Sequence, residues 1–265
     1  MCVLNNKERL VDHIQDLGLK NTMLKILDRV EAVSKKHEIK TTDFLNPQEI
    51  VMACEILHTV RDIQYVVSGG YDEAERKLIT IFPEYLEGYG VEIPIAVFEI
   101  KGTSQFEKLN HRDYLGAILG LGLKREKIGD IIVHNEISQV IVHESLKDYI
   151  FYNLNKVGNV SVKIKELEIS DIIPPKIEYK EIRGNVSSLR LDAILSLAYK
   201  ISRSEAQELI SKERVSVNWK NTTKSAQDVT EGNIISVKGK GRVKIAAIEG
   251  KTKSDRIVVS VHKFV

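Results

Sequence analysis

Basic side chains gather near the end of the sequence in a pattern that suits phosphate binding. They lie at the exposed edges of two predicted short helices: Arg190, Lys200, Arg203, Lys212 and Arg214. An arginine fork can hold a phosphate through two N–H groups, and the N-terminus of a helix offers further free N–H groups. Ser204 and Gln207 can add hydrogen bonds to a sugar or phosphate. These residue types predict a surface for a polyanion.

A second set of candidate binding residues follows these helices. It comprises the end of a short strand and a basic glycine loop: Asn218, Lys220, Lys238, Lys240 and Arg242. We expect this set to extend the same cationic surface.

Local patterns predict how the two helices are held. Leu191, Ile194, Leu195 and Ala198 recur at helical spacing and form one buried stripe. Ser202 and Glu205 have the spacing of a capping box, in which each side chain bonds the backbone N–H of the other. Both helices should therefore be rigid supports for the basic residues.

The net charge of +2 over 265 residues conceals an asymmetry. Residues 183–265 hold 16 Lys and Arg against 8 Asp and Glu, a net charge of +8, and residues 1–182 hold 23 against 29, a net charge of −6. A basic end on an acidic body indicates a polyanionic partner. Nucleic acid is the first candidate and an anionic membrane surface the second, but we find no basic amphipathic helix with large apolar residues.

Composition narrows the class of protein. A content of 43% hydrophobic and 29% charged residues is typical of a globular chain. Cys2 and Cys54 cannot build a disulfide scaffold or a thiolate zinc site, which favours the cytoplasm. We find neither an apolar run of about 18 residues nor a secretory leader in the sequence, and we expect no membrane partner.

The middle of the chain predicts a β-α-β-β-α-β order. Strands are expected around residues 95–101, 130–134, 139–143 and 160–167, with helices after Asn110 and over 145–156. This is the order of ferredoxin-like and RNA-recognition-motif (RRM) folds. Phe98 is the only aromatic residue on a candidate strand, so base stacking by this sheet is not favoured.

The predicted architecture is α+β. We place an N-terminal helical region at 1–76, an RRM-like βαββαβ domain at 77–172, a linker at 173–186 and a small α/β RNA-binding domain at 187–265. The Pro174-Pro175 pair and the charge reversal that follows it set the last boundary.

Two regions of the chain resemble known families, each through short stretches of residues. Residues 188–195, 202–210 and 215–218 resemble the RNA-binding domain named after ribosomal protein S-four, and residues 109–117 and 121–130 are similar to the YlmH family of bacterial RNA-binding proteins. Glu213 and Trp219 depart from the first pattern, which usually has Gly at both places. Glu213 puts an acid among the basic residues, and Trp219 either stacks on RNA or covers the core.

The resemblance implies an RRM-like domain followed by a terminal S-four-type domain. It implies a non-catalytic protein that binds structured rRNA or tRNA, associates with the large ribosomal subunit and acts in translation or ribosome quality control. We expect a monomer without cofactor or metal.

An enzyme is the competing interpretation. Arg190-Leu191-Asp192 matches a triplet of pseudouridine synthases, but Thr-Ser-Gly does not follow it, and we interpret Asp192 as a first-turn acid that favours the helix dipole. His134 and His143 lie on neighbouring predicted strands, but the sequence offers no third metal ligand near them.

The middle domain carries a possible second contact. Basic groups stand at the two ends of its first predicted helix: His111, Arg112, Lys124, Arg125 and Lys127. They are either a second binding face for RNA or ribosomal protein, or a solvated loop.

Overall fold

The computed structural model describes residues 7–103, 109–176 and 178–264. Cys2 lies outside them. The described chain divides into two compact units, with the division between Pro175 and Lys176. Helices and strands are mixed in both units, which confirms the α+β class.

The first unit opens with three helices and a small sheet. Its elements are α1 (Lys7–Val11), α2 (Leu17–Lys36), β1 (Lys40–Thr41), α3 (Pro47–Leu57), β2 (Ile63–Ser68) and β3 (Leu78–Pro83). A capping box begins α3, since Asn46 and Glu49 each accept a hydrogen bond from the backbone N–H of the other. The buried side of α2, including Met23, Leu27 and Val30, packs in the core of this part.

Two predictions for this part were wrong. The region is not purely helical, because β1, β3 and β2 form an antiparallel sheet in that order. The boundary at residue 77 also fails, since β3 pairs with β1 and β2 and not with the RRM-like sheet. β3 is buried along its whole length, and a strand in which buried and exposed residues do not alternate carries no sign of which sheet it joins.

The RRM-like part has the predicted order of elements. They are β4 (Ile95–Gly102), α4 (His111–Gly120), β5 (Ile128–Val133), β6 (Ser138–His143), α5 (Lys147–Asn153), β7 (Lys156–Val157) and β8 (Val160–Leu167). The sheet order β5-β6-β4-β8-β7 places the first and third main strands at the centre, as in ferredoxin-like folds. Asn110 and Asp113 form the capping box of α4.

Both faces of this sheet are covered at its centre. Phe98 and Ile100 of β4 pack with α4 and α5, while Val97 and Ile141 on the other face pack with Phe44 and Leu78 from the preceding part. The face on which an RNA-recognition motif would stack bases is therefore closed there by apolar side chains.

A glycine and a carboxylate secure this contact. Gly129 on β5 admits the Phe44 ring, because a Cβ atom at residue 129 would lie 2.9 Å from it. The Asp130 carboxylate accepts hydrogen bonds from the Tyr71 hydroxyl at 2.9 Å and from the backbone N–H groups of Glu75 at 2.7 Å and Arg76 at 3.0 Å. The loop before β3 is thereby fixed to the RRM-like sheet.

The second unit is a six-stranded sheet with two helices on one face. Its elements are β9 (Tyr179–Val186), α6 (Leu191–Tyr199), α7 (Arg203–Ser211), β10 (Val215–Val217), β11 (Lys220–Asn221), β12 (Ile234–Val237), β13 (Gly241–Lys251) and β14 (Ile257–Phe264). The strand order is β11-β10-β12-β13-β14-β9.

The predicted linker 173–186 was too long. Residues 179–186 form β9, which pairs with β14 along its whole length. Val186 is the one buried residue of this edge strand, so its alternation is too weak to mark it as a strand.

Candidate nucleic-acid interface

The two helices that carry the basic residues form a packed pair. The predicted stripe of α6, Leu191, Ile194, Leu195 and Ala198, is buried in the core with Ala206, Leu209 and Ile210 of α7. The Ser202 hydroxyl caps α7 by accepting the Glu205 N–H at 3.1 Å.

Only that half of the predicted capping box is present. The Glu205 carboxylate instead lies 3.4 Å from the Lys240 ammonium. Because Lys240 belongs to the loop before β13, this ion pair ties the loop to the first turn of α7.

Asp192 is the centre of the site. Its side chain is fully buried, and its carboxylate accepts hydrogen bonds from the fork of Arg190, Nε at 3.2 Å and Nη2 at 3.0 Å. It also accepts bonds from Arg203 Nη2 at 2.9 Å and Gln207 Nε2 at 2.8 Å. Three predicted binding residues from two elements therefore meet on one anion, which we call the Asp192 hub.

The hub holds its carboxylate charged. Burial acts to raise the pKa of Asp192, but the hydrogen bonds from Arg190, Gln207 and Arg203 lower it to about 2. The side chains of Arg190 and Arg203 are still 37% and 48% exposed. Each guanidinium has five N–H donors, so each retains donors for an external phosphate after binding Asp192.

Other predicted residues have structural partners as well. Arg214 Nη2 donates to the Lys238 carbonyl at 3.0 Å, and the Lys212 ammonium lies 2.5 Å from Glu208. The Asn218 carboxamide accepts the Ile234 N–H at 2.9 Å, which fixes the turn after β10. The remaining predicted residues of this unit, Lys200, Ser204, Lys220 and Arg242, have exposed side chains.

Backbone geometry explains why the S-four-type pattern usually has glycine at positions 213 and 219. Glu213 has φ 54° and Trp219 has φ 65°, in the left-handed region that favours glycine. Asn218, with φ 47°, and Trp219 are the two central residues of the β10–β11 hairpin turn, where both positions require positive φ. The turns keep their shape in this chain although the favoured residue is missing.

The proposed second contact is only partly available. Arg125 Nη1 donates to the Ile128 carbonyl at 2.6 Å, and burial lowers the pKa of Arg125 to about 10. Lys127 pairs with Asp43 at 2.7 Å. His111, Arg112 and Lys124 are exposed, so the structure does not present the five residues as one cationic face.

Asp192 is the residue of the candidate site that the sequence did not place there. It was assigned to the helix dipole, whereas it binds Arg190 beside it and two side chains that stand 11 and 15 residues later in the chain. The recurrence of Arg203 and Gln207 one helical turn apart, facing an acid on the preceding helix, was the available signal.

The side chains of the described residues do not gather into a metal site. Within residues 7–103, 109–176 and 178–264, no three His, Cys, Asp or Glu side chains cluster as metal ligands would. None of the helices in those ranges is both long and apolar enough to cross a membrane.

Family models match three successive stretches of the chain. Residues 19–86 match the N-terminal part of YlmH, residues 91–171 match a domain described as a putative RNA-binding domain in YlmH, and residues 189–235 match the S4 domain. The S4 domain is the S-four-type domain named above, and its match contains the whole Asp192 hub.

Individual proteins similar to this chain include a bacterial relative and a solved structure. The ribosome-associated protein quality control protein P2 of Bacillus subtilis (strain 168) is 36% identical over 224 residues, which cover 84% of this chain and 87% of the relative. The structure of the cell division protein ylmH from Streptococcus pneumoniae aligns with a TM-score of 0.50 at 23% identity, over 60% of this chain and 96% of that one, and shows a shared fold. The order of the three matched stretches and the identity over most of its length show that this chain belongs to the YlmH family, with an S4 domain in its C-terminal unit.

Proposed function

We propose that this chain is a non-catalytic protein that docks on structured RNA of the ribosome through its C-terminal unit. The Asp192 hub is the observation that carries this proposal. A buried carboxylate fixes two half-exposed guanidiniums beside the capped start of α7, which gives a rigid site for phosphate groups.

The ribosomal target is supported by one relative. A relative with 36% identity over 84% of this chain is named as a ribosome-associated quality control protein. We infer that this chain acts in translation or ribosome quality control, on rRNA of the large subunit, on tRNA, or on both. Arg112 and Lys124, which are exposed on the RRM-like part, are the residues left for a second contact.

The hub disfavours the pseudouridine-synthase alternative. A catalytic Asp must reach the base, whereas Asp192 is buried and its carboxylate already accepts four N–H donors. Its charge serves the two arginines and is not presented to a substrate.

The test removes the two arginines. We expect R190A/R203A to weaken binding to a ribosomal RNA transcript about tenfold or more at fixed salt. The slope of log K against log salt should fall by roughly 0.7 to 0.9 for each phosphate that the protein no longer binds. Filter binding across a salt series measures both quantities, and co-sedimentation with ribosomes extends the test.

Two controls guard the interpretation. R9A/R61A removes the same charge from exposed positions of the first unit and should leave affinity nearly unchanged. R190A/R203A leaves Asp192 buried without its charged partners, so R190Q/D192N/R203Q, which keeps amide groups around a neutral centre, should be measured beside it. Unchanged affinity and slope in both hub variants, with the fold intact, would refute the proposal.

A further inference from the structure

The C-terminal sheet has a second face that the helices do not cover. Val243, Ile245 and Val261 point to α6 and α7 and are buried in their core. Because side chains alternate along a strand, Lys244 and His262 point to the opposite side, and these two residues face each other in the β13–β14 register. We call this side the open sheet face.

An ordered aromatic pair lies on the open sheet face. Tyr179 of the edge strand β9 stacks on His262 of β14, with ring centroids 3.8 Å apart and planes 12° apart. Tyr179 is nevertheless 52% exposed. A ring that is already held by stacking and is still half-exposed can accept a nucleobase with little further loss of side-chain entropy.

Cations flank the aromatic pair. Lys244 is the cross-strand neighbour of His262, and Arg242 stands two residues earlier on the same face. Both side chains are exposed. A phosphate next to a base stacked on Tyr179 would therefore find positive charge within the same face.

The acids of the open sheet face are engaged with its other residues. Glu181, which stands opposite His262 in the β9–β14 register, accepts the Ser260 hydroxyl at 3.0 Å. Glu249, further along β13, pairs with Arg183. Both acids are thus bound toward the middle of the face, Glu181 at Ser260 and Glu249 at Arg183.

The open sheet face continues the surface of the Asp192 hub. The loop before β13 is tied to α7 through Lys240 and Glu205, and Arg214 is bonded to the Lys238 carbonyl. The chain then enters β13 at Gly241, directly before Arg242. A strand of nucleic acid that leaves the helix side can follow this loop onto the sheet and stay among cations.

We propose that the open sheet face binds an unpaired stretch of the same RNA, with one base stacked on Tyr179 and neighbouring phosphates on Lys244 and Arg242. Every base has a π-face, so such a site reads single-strandedness and not sequence. The inference rests on the proposed function of the C-terminal unit and adds the class of partner: a structured RNA with a single-stranded extension. The S4 match ends at residue 235, before β13 and β14.

The experiment compares two RNA hairpins with the full chain. One is blunt, and the other carries a single-stranded tail with 2-aminopurine, whose fluorescence falls when the base stacks. Y179L should weaken binding of the tailed hairpin by about 5-fold to 100-fold and abolish the fluorescence change, while leaving the blunt hairpin unaffected. Y179F retains the stacking ring and should restore both signals.

Further variants keep the test decisive. K244A, an exposed substitution, should lower the salt slope for the tailed hairpin by about 0.7 and leave that of the blunt hairpin unchanged. Y89L removes an exposed tyrosine of the first unit and should bind both hairpins as the wild type does.

The results also separate the two proposals. If Y179L and K244A bind the tailed hairpin like the wild type while R190Q/D192N/R203Q loses both hairpins, the open sheet face is excluded and the proposed function stands. If the hub variant loses neither hairpin, the proposed function fails, whatever Y179L does.

Discussion

At the residue scale, the second unit depends on one buried charge. Asp192 has no exposed surface and is compensated by two arginines and a glutamine that also form the candidate interface. A buried charge whose partners are removed is costly, so the binding surface and the stability of this unit are coupled. Substitution of either arginine should affect both.

The low pKa of Asp192 gives this coupling a pH signature. A folded pKa of about 2, below the ordinary 3.8, means that the hub stabilises the fold above about pH 4 and loses this contribution as the pH falls through 2. We expect the free energy of unfolding of the wild type to exceed that of D192N by on the order of 2 kcal/mol near neutral pH. This difference should disappear on acidification. Urea unfolding followed by Trp219 fluorescence measures the difference.

A second carboxylate serves as the control for the hub. Asp255 is exposed on the same unit and pairs with the exposed Lys251, so D255N should change stability little at pH 6 or at pH 2. A stability gap between wild type and D192N that does not vary between pH 6 and pH 2 would contradict the role of the buried charge.

At the scale of elements, much of the fold follows from local signals. The start of α4 after Asn110 and the cap of α7 at Ser202 were predicted from nearby residues, because caps involve near neighbours only. The βαββαβ order followed from alternation and helical spacing in the same way. These features required no knowledge of distant parts of the chain.

The elements that were missed depend on distant partners. The boundary at residue 77 placed the segment of β3 in the RRM-like domain, whereas its six buried residues pair with strands that precede it. β9 was interpreted as linker because its partner β14 begins more than 70 residues later. The Asp192 hub was missed for the same reason, since it exists only when α6 and α7 have packed.

The turn between α7 and β10 offers a test at this scale. Glu213 has φ 54°, a conformation that disfavours every residue with a Cβ atom. We expect E213G to stabilise the second unit by about 0.5 to 1 kcal/mol, with the midpoint of urea unfolding as the measure.

A glycine elsewhere should have the opposite effect. Ser211 is exposed in α7, and S211G should destabilise the unit by about 0.5 kcal/mol because glycine is a poor helix former. If E213G lowers the stability of the second unit as much as S211G does, residue 213 is not strained in the wild type.

At the scale of the whole molecule, the two units differ in net charge, and only the second contains a tryptophan. Residues 1–175 hold 21 basic and 27 acidic residues, and residues 176–265 hold 18 and 10. The chain has a single tryptophan, Trp219, which lies in the second unit. Its fluorescence therefore reports on the second unit, whereas circular dichroism reports on both.

This difference allows the first unit to be perturbed separately. D130A leaves the Tyr71 hydroxyl and the N–H groups of Glu75 and Arg76 without their acceptor, at a cost of about 2 to 4 kcal/mol. We expect the urea unfolding of D130A to begin at a lower urea concentration when it is followed by circular dichroism. The unfolding curve followed by Trp219 fluorescence should not change. D72A, an exposed aspartate of the same loop, should alter neither curve, and a joint shift of both probes in D130A would show that the units unfold together.

The closed face of the RRM-like sheet also limits which fragments of this part of the chain can be produced alone or as fusion proteins. The family-model match at 91–171 excludes Phe44, Leu78 and Ile172, which cover Val97, Ile132 and Ile141. An excised fragment with those bounds would expose a contiguous apolar patch, and such patches promote aggregation. The segment that the family model matches is thus shorter than the segment that we expect to remain soluble. Fusion proteins and truncations should therefore be divided near residue 175 and not near residue 90.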